Sequence, residues 1–437
     1  MSSLMTKVQT MDRQKLESLF TSSAFLFTNG LLFVNLFLLL RGLGADGRGA
    51  VAAAYGNTVV LGWAFQMGVP AAAAYYAKDV DNRRVSMSSW AMTIVGGIPI
   101  ALILIPFYLW QIGGDSFTEG GDSLVTWYFA FIVLQIFNGP FLSGVFWLRG
   151  IGNLVRYNAL LALPNVLVTL GYLVLFVFGR MTIDTALTST FVMTAIGWFI
   201  GLTATKSWPG HGFSRDIFNK IRHYSLRAWL GNLSFFVSLR FDQLLLVAFV
   251  TLEELGHYAI AVAISSLSSP IARGVAQTVL PFVRNAKSDE ERIWRIQSGF
   301  RQVGAVSLLA VLGIAATAWF IVPFVLGDDA RPAVPLLLIL LPGAWATDVT
   351  QVLNTGISQF DRPQDASKGQ FISAIATGLG LAVLIGPYGI TGAAITTSIS
   401  YWAGALVSYY YWRRLQRQVA SGEVTGETEA IEAEEFV

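Results

Sequence analysis

Long runs of apolar residues, separated by short polar and charged segments, dominate the chain. The runs extend over about 20 residues or more, which is the length a helix needs to cross a hydrocarbon core of roughly 30 Å. They do not alternate apolar with polar positions, as the strands of a membrane barrel do, so they are predicted to be helices. Twelve spans are predicted, with the approximate bounds 17–40, 48–77, 87–110, 123–148, 153–178, 184–205, 223–250, 255–282, 299–326, 333–359, 368–386 and 389–412.

Lysine and arginine are distributed unevenly between the predicted loops. With the N-terminus placed in the cytoplasm, inside segments carry 23 of the 29 basic residues, outside segments carry four and spans carry two. Loops rich in lysine and arginine stay on the cytoplasmic side, so both ends of the chain are predicted to be cytoplasmic. The first apolar stretch is longer than the core of a secretion signal, and we expect it to be a membrane span.

The longest predicted inside loop lies at the midpoint of the chain, and it divides the spans into two sets of six. Each set contains a Gly-x-x-Ala sequence after its first span, at Gly49–Ala52 and Gly256–Ala259. Such an echo is typical of transporters built as two lobes around a central cavity. The predicted parts are a cytoplasmic N-terminus (1–16), an N-lobe (17–205), an inter-lobe loop (206–222), a C-lobe (223–412) and an acidic cytoplasmic tail (413–437) that we expect to be disordered.

The remaining composition excludes several kinds of chemistry. The chain has no cysteine and only three scattered histidines, which argues against thiolate or histidine metal sites. A formal net charge of +2 does not indicate a nucleic acid partner. The sequence contains no recognisable catalytic constellation, so neither an enzyme nor a cofactor is expected, and coupling to protons or sodium stays open.

Several motifs resemble those of one transporter family. Arg240-Phe-Asp242 lies near the end of the seventh span, Leu255-Gly-His-Tyr258 opens the eighth, and Tyr388-Gly-Ile-Thr-Gly-Ala-Ala394 joins the last two. Together they resemble the polysaccharide-transporter branch of the multidrug/oligosaccharidyl-lipid/polysaccharide superfamily, which includes flippases of O-antigen type. The resemblance implies an isoprenoid-diphosphate-linked glycan as substrate, a bacterial cytoplasmic membrane as location, and polysaccharide polymerase or glycosyltransferase machinery as partners beside the membrane lipids.

A phosphate cannot cross hydrocarbon without desolvation, which by simple Born estimates costs tens of kcal/mol, so a flippase needs cations inside the bundle. Arg273 lies in the eighth span on one predicted helical face with Ser266, Ser269 and Gln277. A guanidinium group binds phosphate through two hydrogen bonds, which makes Arg273 the leading phosphate candidate. The alternative is an arginine that ties helices together. Arg240 in the seventh span is a second candidate, with the same alternative.

Acidic and amide side chains inside the spans complete the predicted site. Asp242 and Asp348 are candidates for a counter-ion or for a proton or sodium site, and Asp242 points away from Arg240 on its own helix. Gln351 and Asn354 in the tenth span and Asn29 in the first are predicted to line a wet cavity for the glycan. Each polar stripe alone is also typical of contacts between membrane helices.

Two other functions remain open at this point. A multidrug or cation exchanger of the same superfamily is expected to carry an acidic residue within the first span, where this chain has only Glu17 at the start. A membrane-embedded glycan polymerase or ligase needs a catalytic platform outside the membrane. The predicted outside loops hardly exceed a dozen residues, which disfavours that class.

Overall fold

The computed structural model describes residues 2–210, 212–269, 288–358, 360 and 362–421, and all regular structure within them is helical. Two π-helical turns (Ala52–Gly56 and Thr93–Gly97) and three 3₁₀ turns (Gln135–Phe137, Ser266–Ser268 and Asp328–Ala330) interrupt the α-helices. The α-helices of the described ranges are α1 Ser2–Val51, α2 Asn57–Phe65, α3 Val69–Tyr75, α4 Asn82–Met92, α5 Ile98–Ile103, α6 Ile105–Ile112, α7 Asp115–Leu134, α8 Asn138–Gly150, α9 Leu154–Val177, α10 Ile183–Ala204, α11 Arg215–Leu246, α12 Leu252–Ser265, α13 Asp289–Leu326, α14 Ala333–Ser358 and α15 Pro363–Ala420.

The described part of the chain contains eight helical segments long and apolar enough to cross a membrane. An all-helical polytopic membrane protein is therefore confirmed, whereas the count of twelve spans stays a prediction. One reason the two counts differ is that one of the eight segments, α15, contains two predicted spans, which meet at a reversal of the chain. Its backbone leaves the helical conformation at Gly389, where φ is +52°, a value that a residue with a side chain rarely adopts.

Large apolar side chains on these helices face outward. Along α13, Leu309, Phe320 and Phe324 expose 71%, 84% and 79% of their surface. Water would make such a surface unstable, whereas lipid tails solvate it, so these faces are suited to a bilayer. Polar residues such as Ser307 on the same helix are buried instead.

The described residues form two compact units. The first comprises Met1–Phe236, Gln243–Ile260 and Phe324–Ala330, and the second comprises Val237–Asp242, Ala261–Pro323 and Arg331–Val437. These units follow contacts and not the order of the chain, and the predicted division into lobes at residues 206–222 stays a prediction. The first residues of the predicted tail, 413–420, belong to α15 and are helical, so the expectation of disorder is wrong for them. Residues 422–437 lie outside the described residues.

Within the first unit, the glycine of each Gly-x-x-Ala sequence packs against the backbone just before the other sequence. A Cβ atom on Gly49 would lie 1.8 Å from the carbonyl oxygen of Leu252, and one on Gly256 would lie 2.0 Å from that of Ala45. The contact is reciprocal, since each glycine packs against the residue four positions before the other glycine. We call these four residues the glycine junction. Glycine allows this approach because two helix backbones can then touch directly.

Hydrogen bonds surround the glycine junction on several sides. Arg41 donates from Nε to the carbonyl oxygen of Val325 at 3.1 Å and from Nη2 to that of Phe324 at 2.9 Å. The Leu252 amide donates to the Glu119 carboxylate at 2.7 Å, and His257 Nε2 lies 2.8 Å from the Asp329 carbonyl oxygen. Main-chain contacts and charged hydrogen bonds therefore hold these segments of the first unit together.

In the second unit, the two halves of α15 fold back on each other through small residues. A Cβ atom on Gly369 would lie 2.7 Å from the carbonyl oxygen of Gly404, and one on Gly404 would lie 2.9 Å from that of Gly369. This contact, together with the packing of α14 on α15, forms the framework that holds the acidic residues described next.

Candidate functional site

A buried polar cluster of the second unit is built around Asp348 on α14, which is 1% exposed. Ser269 Oγ donates to Asp348 Oδ1 at 2.8 Å, and Ser268 Oγ donates to Oδ2 at 2.9 Å. Ser307 of α13 also donates to Oδ2. We call these four residues the hydroxyl centre. Three O–H donors from two other segments thus stabilise one buried carboxylate, and hydrogen bonds to a charged acceptor are stronger than neutral ones.

A local change of helix geometry produces this arrangement. The helix α12 ends at Ser265, and the 3₁₀ turn Ser266–Ser268 follows it. A 3₁₀ turn has three residues per turn where an α-helix has 3.6, so it rotates the following side chains relative to the α-helical pattern. As a result, Ser268 joins Ser269 at the carboxylate. Ser266 is exposed, and its hydroxyl donates to the Ala263 carbonyl oxygen at 2.8 Å.

Only part of the polar face predicted for the eighth span lies within the described residues. Ser269 lies at the hydroxyl centre, half-buried, while Ser266 lies on the surface of this unit. Arg273 and Gln277 lie outside the described residues. The backbone of Arg240 belongs to α11, but its side chain is outside the described part. The phosphate-binding roles of both arginines stay predictions.

Asp242 occupies a second buried position of the second unit and is 2% exposed. Thr397 Oγ1 of α15 donates to its Oδ2 at 3.1 Å. Like the hydroxyl centre, this contact joins a carboxylate to a hydroxyl group of another helix. Among the described residues there is no cluster of three or more histidine, aspartate or glutamate side chains placed to hold a metal ion.

The amide residues predicted to contact a glycan are half-buried. Gln351 and Asn354 lie on α14, one and two turns beyond Asp348, and Asn29 lies on α1 in the first unit. Beside Asp348, a small cavity of about 10 Å³ lies between α14 and α15. Its lining includes the polar residues Thr347, Thr350, Gln370, Ser373 and Tyr401. A cavity of this size has room for about one water molecule.

In the first unit, two amide residues of the predicted fourth span (123–148), Gln135 and Asn138, are buried side by side. Asn138 Nδ2 donates to Gln135 Oε1 at 2.9 Å, and both side chains are buried. A Cβ atom on Gly62 would lie 2.1 Å from that same oxygen. These amides therefore contact neighbouring helices of their own unit, the role that such stripes commonly have in membrane proteins.

Sequence reasoning selected Asp348, Ser269 and Asp242, and it missed three hydroxyl partners. Ser268 was overlooked because α-helical spacing places it on another face than Ser266 and Ser269. Ser307 and Thr397 were harder to predict as partners of a carboxylate. Each lies in a long apolar segment, and its sequence neighbourhood does not indicate which acidic residue it contacts. A buried carboxylate requires such donors, so isolated hydroxyl residues in neighbouring spans were the available clue.

Comparison with known families supports the resemblance found in the sequence. Residues 154–335 match a family described as polysaccharide biosynthesis proteins. A protein of Haloferax volcanii named as a probable low-salt glycan biosynthesis flippase, Agl15, is 24% identical over 225 residues. That alignment covers 50% of this chain and 47% of the relative, so the chain matches about half of the relative's length.

Solved structures show the same fold over most of the chain. The lipid II flippase MurJ in an inward closed conformation has a TM-score of 0.72 and 14% identity, covering 90% of this chain and 87% of that one. An inward-facing multidrug resistance transporter of the MATE family has a TM-score of 0.70 and 16% identity, covering 90% and 96%. The predicted resemblance is confirmed, and these similar proteins are transporters.

Proposed function

Because the chain has the fold of the multidrug/oligosaccharidyl-lipid/polysaccharide superfamily and matches polysaccharide biosynthesis proteins, we propose that it is a lipid-linked glycan flippase. It moves an isoprenoid-diphosphate-linked oligosaccharide from the inner to the outer leaflet by alternating access, for cell-surface polysaccharide biosynthesis. The observation that carries this proposal is the sequence match to glycan biosynthesis proteins. The fold is common to flippases and multidrug transporters, so it does not separate the two.

The proposed chemistry assigns the two ends of the headgroup to different residues. Arg273 binds the diphosphate and Arg240 assists, since guanidinium groups pair with phosphate oxygens in a fork geometry. Ser266, Ser269 and Gln277 contact the sugar hydroxyls together with Gln351, Asn354 and Asn29. The lipid tail stays in the bilayer, so the protein has to desolvate and hold only the polar part.

The buried carboxylates supply the opposite charge. Asp348 acts as counter-ion to the phosphate-binding arginine, and the hydroxyl centre keeps its charge stable inside an apolar unit. Asp242 with Thr397 is the proposed coupling position, where binding of a proton or a sodium ion would change the charge of the unit. Two carboxylates with separate hydroxyl partners allow these two tasks to be divided.

The proposed location is the cytoplasmic membrane of a bacterium, with both ends of the chain in the cytoplasm, as the distribution of basic residues favours. Polysaccharide polymerase and glycosyltransferase machinery are the proposed partners, because they make and consume the lipid-linked glycan on the two sides.

A multidrug or cation exchanger is the second candidate, and the similarity to a MATE transporter with a TM-score of 0.70 favours it. Such a protein would move an organic cation against protons or sodium. The sequence match to polysaccharide biosynthesis proteins places it second.

The role of Arg273 is tested in liposomes that contain the purified protein and a fluorescent isoprenoid-diphosphate sugar. The rate at which the label crosses the bilayer is measured for wild type, Arg273→Ala and Arg273→Lys. We expect Arg273→Ala to abolish protein-dependent movement and Arg273→Lys to retain a part of it, because lysine keeps the charge without the fork.

Arg180→Ala is the matched control, since this exposed arginine lies in a loop outside the predicted cavity. Its rate is expected to equal that of wild type. Unchanged movement in Arg273→Ala would contradict the phosphate role and leave the flippase proposal intact. A loss of movement together with a lower melting temperature would assign Arg273 a structural role.

A further inference from the structure

A pocket of about 530 Å³ lies in the second unit, between the first turns of α13 and the last turns of α15. Trp294, Ser298 and Arg301 line one side, and Gln416 and Val419 line the other. Gln416 Nε2 donates to Gln297 Oε1 at 2.6 Å, which ties the two helices together across the pocket. The pocket thus offers an aromatic wall, amide groups and a cation.

The walls of the pocket rest on a packed core. Ile296, Trp412, Leu415 and Val419 are buried in one hydrophobic cluster with residues of α14. Trp294, in contrast, is 68% exposed although its neighbours on α13 are packed. The pocket therefore has a preformed shape, and a large indole face on its surface is available for an apolar side chain.

The charges around the pocket favour an acidic occupant. On α13, Arg292 pairs with Asp289 at 3.5 Å and Arg295 pairs with Glu291, so these charges largely cancel. Arg301 lines the pocket and is exposed, and within the described residues it forms no ion pair. Arg413, bonded to Gln416 at 3.4 Å, adds a further positive charge beside the opening. Glu290 also lines the pocket and repels glutamate from its own end.

The chain itself provides a matching segment. The last residues that line the pocket are Val419 and Ala420, and sixteen residues follow Ser421. This segment, 422–437, carries six glutamates and no basic residue, and Ile431, Phe436 and Val437 supply apolar side chains among them. The segment follows α15 directly, and the last residue of α15, Ala420, lines the pocket.

We propose that residues 422–437 bind back into this pocket. Their glutamates pair with Arg301 and Arg413, and an apolar side chain of the segment packs on Trp294. Sixteen residues span at most about 55 Å when extended, so the segment reaches every wall of a pocket that begins one turn before it. A short tether gives an effective concentration in the mM range, which makes even a weak contact occupied. The segment is thereby a built-in competitor for any acidic ligand or anionic lipid headgroup at this place.

The absence of native cysteine makes a direct test available. A thiol is introduced by Ser298→Cys in the pocket, and its rate of modification by a water-soluble maleimide is measured in nanodiscs of zwitterionic lipid. We expect modification to become about tenfold faster when the chain is terminated after Ser421, because the tethered segment no longer covers the thiol. Replacing all six glutamates by glutamine is expected to give most of the same increase.

Arg414→Cys is the matched control. Arg414 is exposed and lies two positions before Gln416, so it faces nearly the opposite side of α15 at the same tether length. Its modification is expected to be unchanged by truncation. In a second experiment, Ile431→Cys is combined with either Ser298→Cys or Arg414→Cys, and disulfide formation is measured under mild oxidation. We expect a disulfide only with Ser298→Cys. Its yield should decrease in roughly 1 M salt, because salt screens the attraction between the glutamates and the arginines.

Equal modification of Ser298→Cys with and without residues 422–437, and no disulfide with Ile431→Cys, would overturn the proposal. So would protection that is independent of the tail and appears only when anionic lipid is added, because the occupant would then be a lipid headgroup. The Ser298→Cys and Arg414→Cys variants retain every residue of the predicted transport site. Glycan movement in liposomes therefore serves as the check that these variants are folded.

Discussion

The glycine junction and the hydroxyl centre hold helices together by opposite means. At the junction, two backbones touch because Gly49 and Gly256 lack side chains, and a Cβ atom on either would lie 2.0 Å or less from a carbonyl oxygen. At the centre, helices are joined by long-range side-chain hydrogen bonds to one buried carboxylate, Asp348. The junction depends on shape, and the centre depends on hydrogen bonds to a buried acceptor.

This difference matters for how each region responds to change. A close backbone contact leaves no space for a side chain, so any added atom forces the helices apart. A hydrogen-bonded carboxylate tolerates replacement of one donor but not removal of the acceptor, which leaves several buried hydroxyl groups unpaired. The first unit should therefore fail on added volume and the second on loss of the acceptor oxygens of Asp348.

Gly256→Leu is expected to destabilise the first unit by about 3 kcal/mol, because the new side chain collides with the backbone at Ala45. The melting temperature of the purified protein in detergent measures the effect. Gly313→Leu is the control, since no atom lies within 4 Å of a Cβ atom at that position. If the two variants melt at the same temperature, the junction is not tightly packed in solution.

Asp348→Ala is expected to cost about 2 kcal/mol of stability, since the hydroxyl groups of Ser268, Ser269 and Ser307 lose their acceptor. Asp348→Asn restores an acceptor oxygen and should recover most of the stability. We expect it to leave glycan movement impaired, because the negative charge is missing. Melting temperature and liposome transport are compared for both variants. Full transport in Asp348→Asn would show that the charge has no role in transport.

Ser307→Ala and Ser266→Ala separate the centre from the surface. The first removes a buried donor to Asp348 and is expected to cost about 1 kcal/mol. The second removes an exposed hydroxyl that bonds within its own helix, and its effect should stay within about 0.5 kcal/mol. Equal losses in thermal denaturation would mean that the 3₁₀ turn does not select the partners of Asp348.

Arg41→Lys has the smallest expected effect, below about 1 kcal/mol, and it tests the rim of the junction. Arg41 is exposed and donates to the carbonyl oxygens of Phe324 and Val325. Lysine keeps the charge but cannot place two donors in the same geometry. Protection of the 324–330 segment against amide hydrogen exchange should decrease in this variant. Unchanged exchange would indicate that the two hydrogen bonds contribute nothing to local stability.

Much of the fold was accessible to sequence reasoning, because apolar length alone predicts membrane helices. The echo between Gly49 and Gly256 was visible as well, but the sequence indicated only that both sites permit a close approach. The reciprocal contact between the two glycine-containing segments depends on how their helices pack, which the sequence does not indicate. The reversal of the chain at Gly389, in contrast, was indicated by the sequence, since a glycine and a proline between two apolar runs predict a turn.

The candidate site was predictable in its acids and unpredictable in their partners. Asp242 and Asp348 stand out because a charge in an apolar span requires compensation. Which hydroxyl group donates to the carboxylate depends on the direction in which each side chain leaves its helix. The 3₁₀ turn after Ser265 changes that direction, and a period of 3.6 residues does not describe the change. Helical spacing therefore included Ser266 and omitted Ser268.

The most direct test of the proposed function is a comparison of substrates with the wild-type protein. Liposomes are loaded in parallel with a fluorescent isoprenoid-diphosphate sugar and with a fluorescent organic cation, each with and without proton and sodium gradients. For the proposed flippase we expect protein-dependent movement of the diphosphate-linked sugar between leaflets and no transport of the cation. Gradient-driven transport of the cation without movement of the sugar would contradict it and identify the protein as an exchanger.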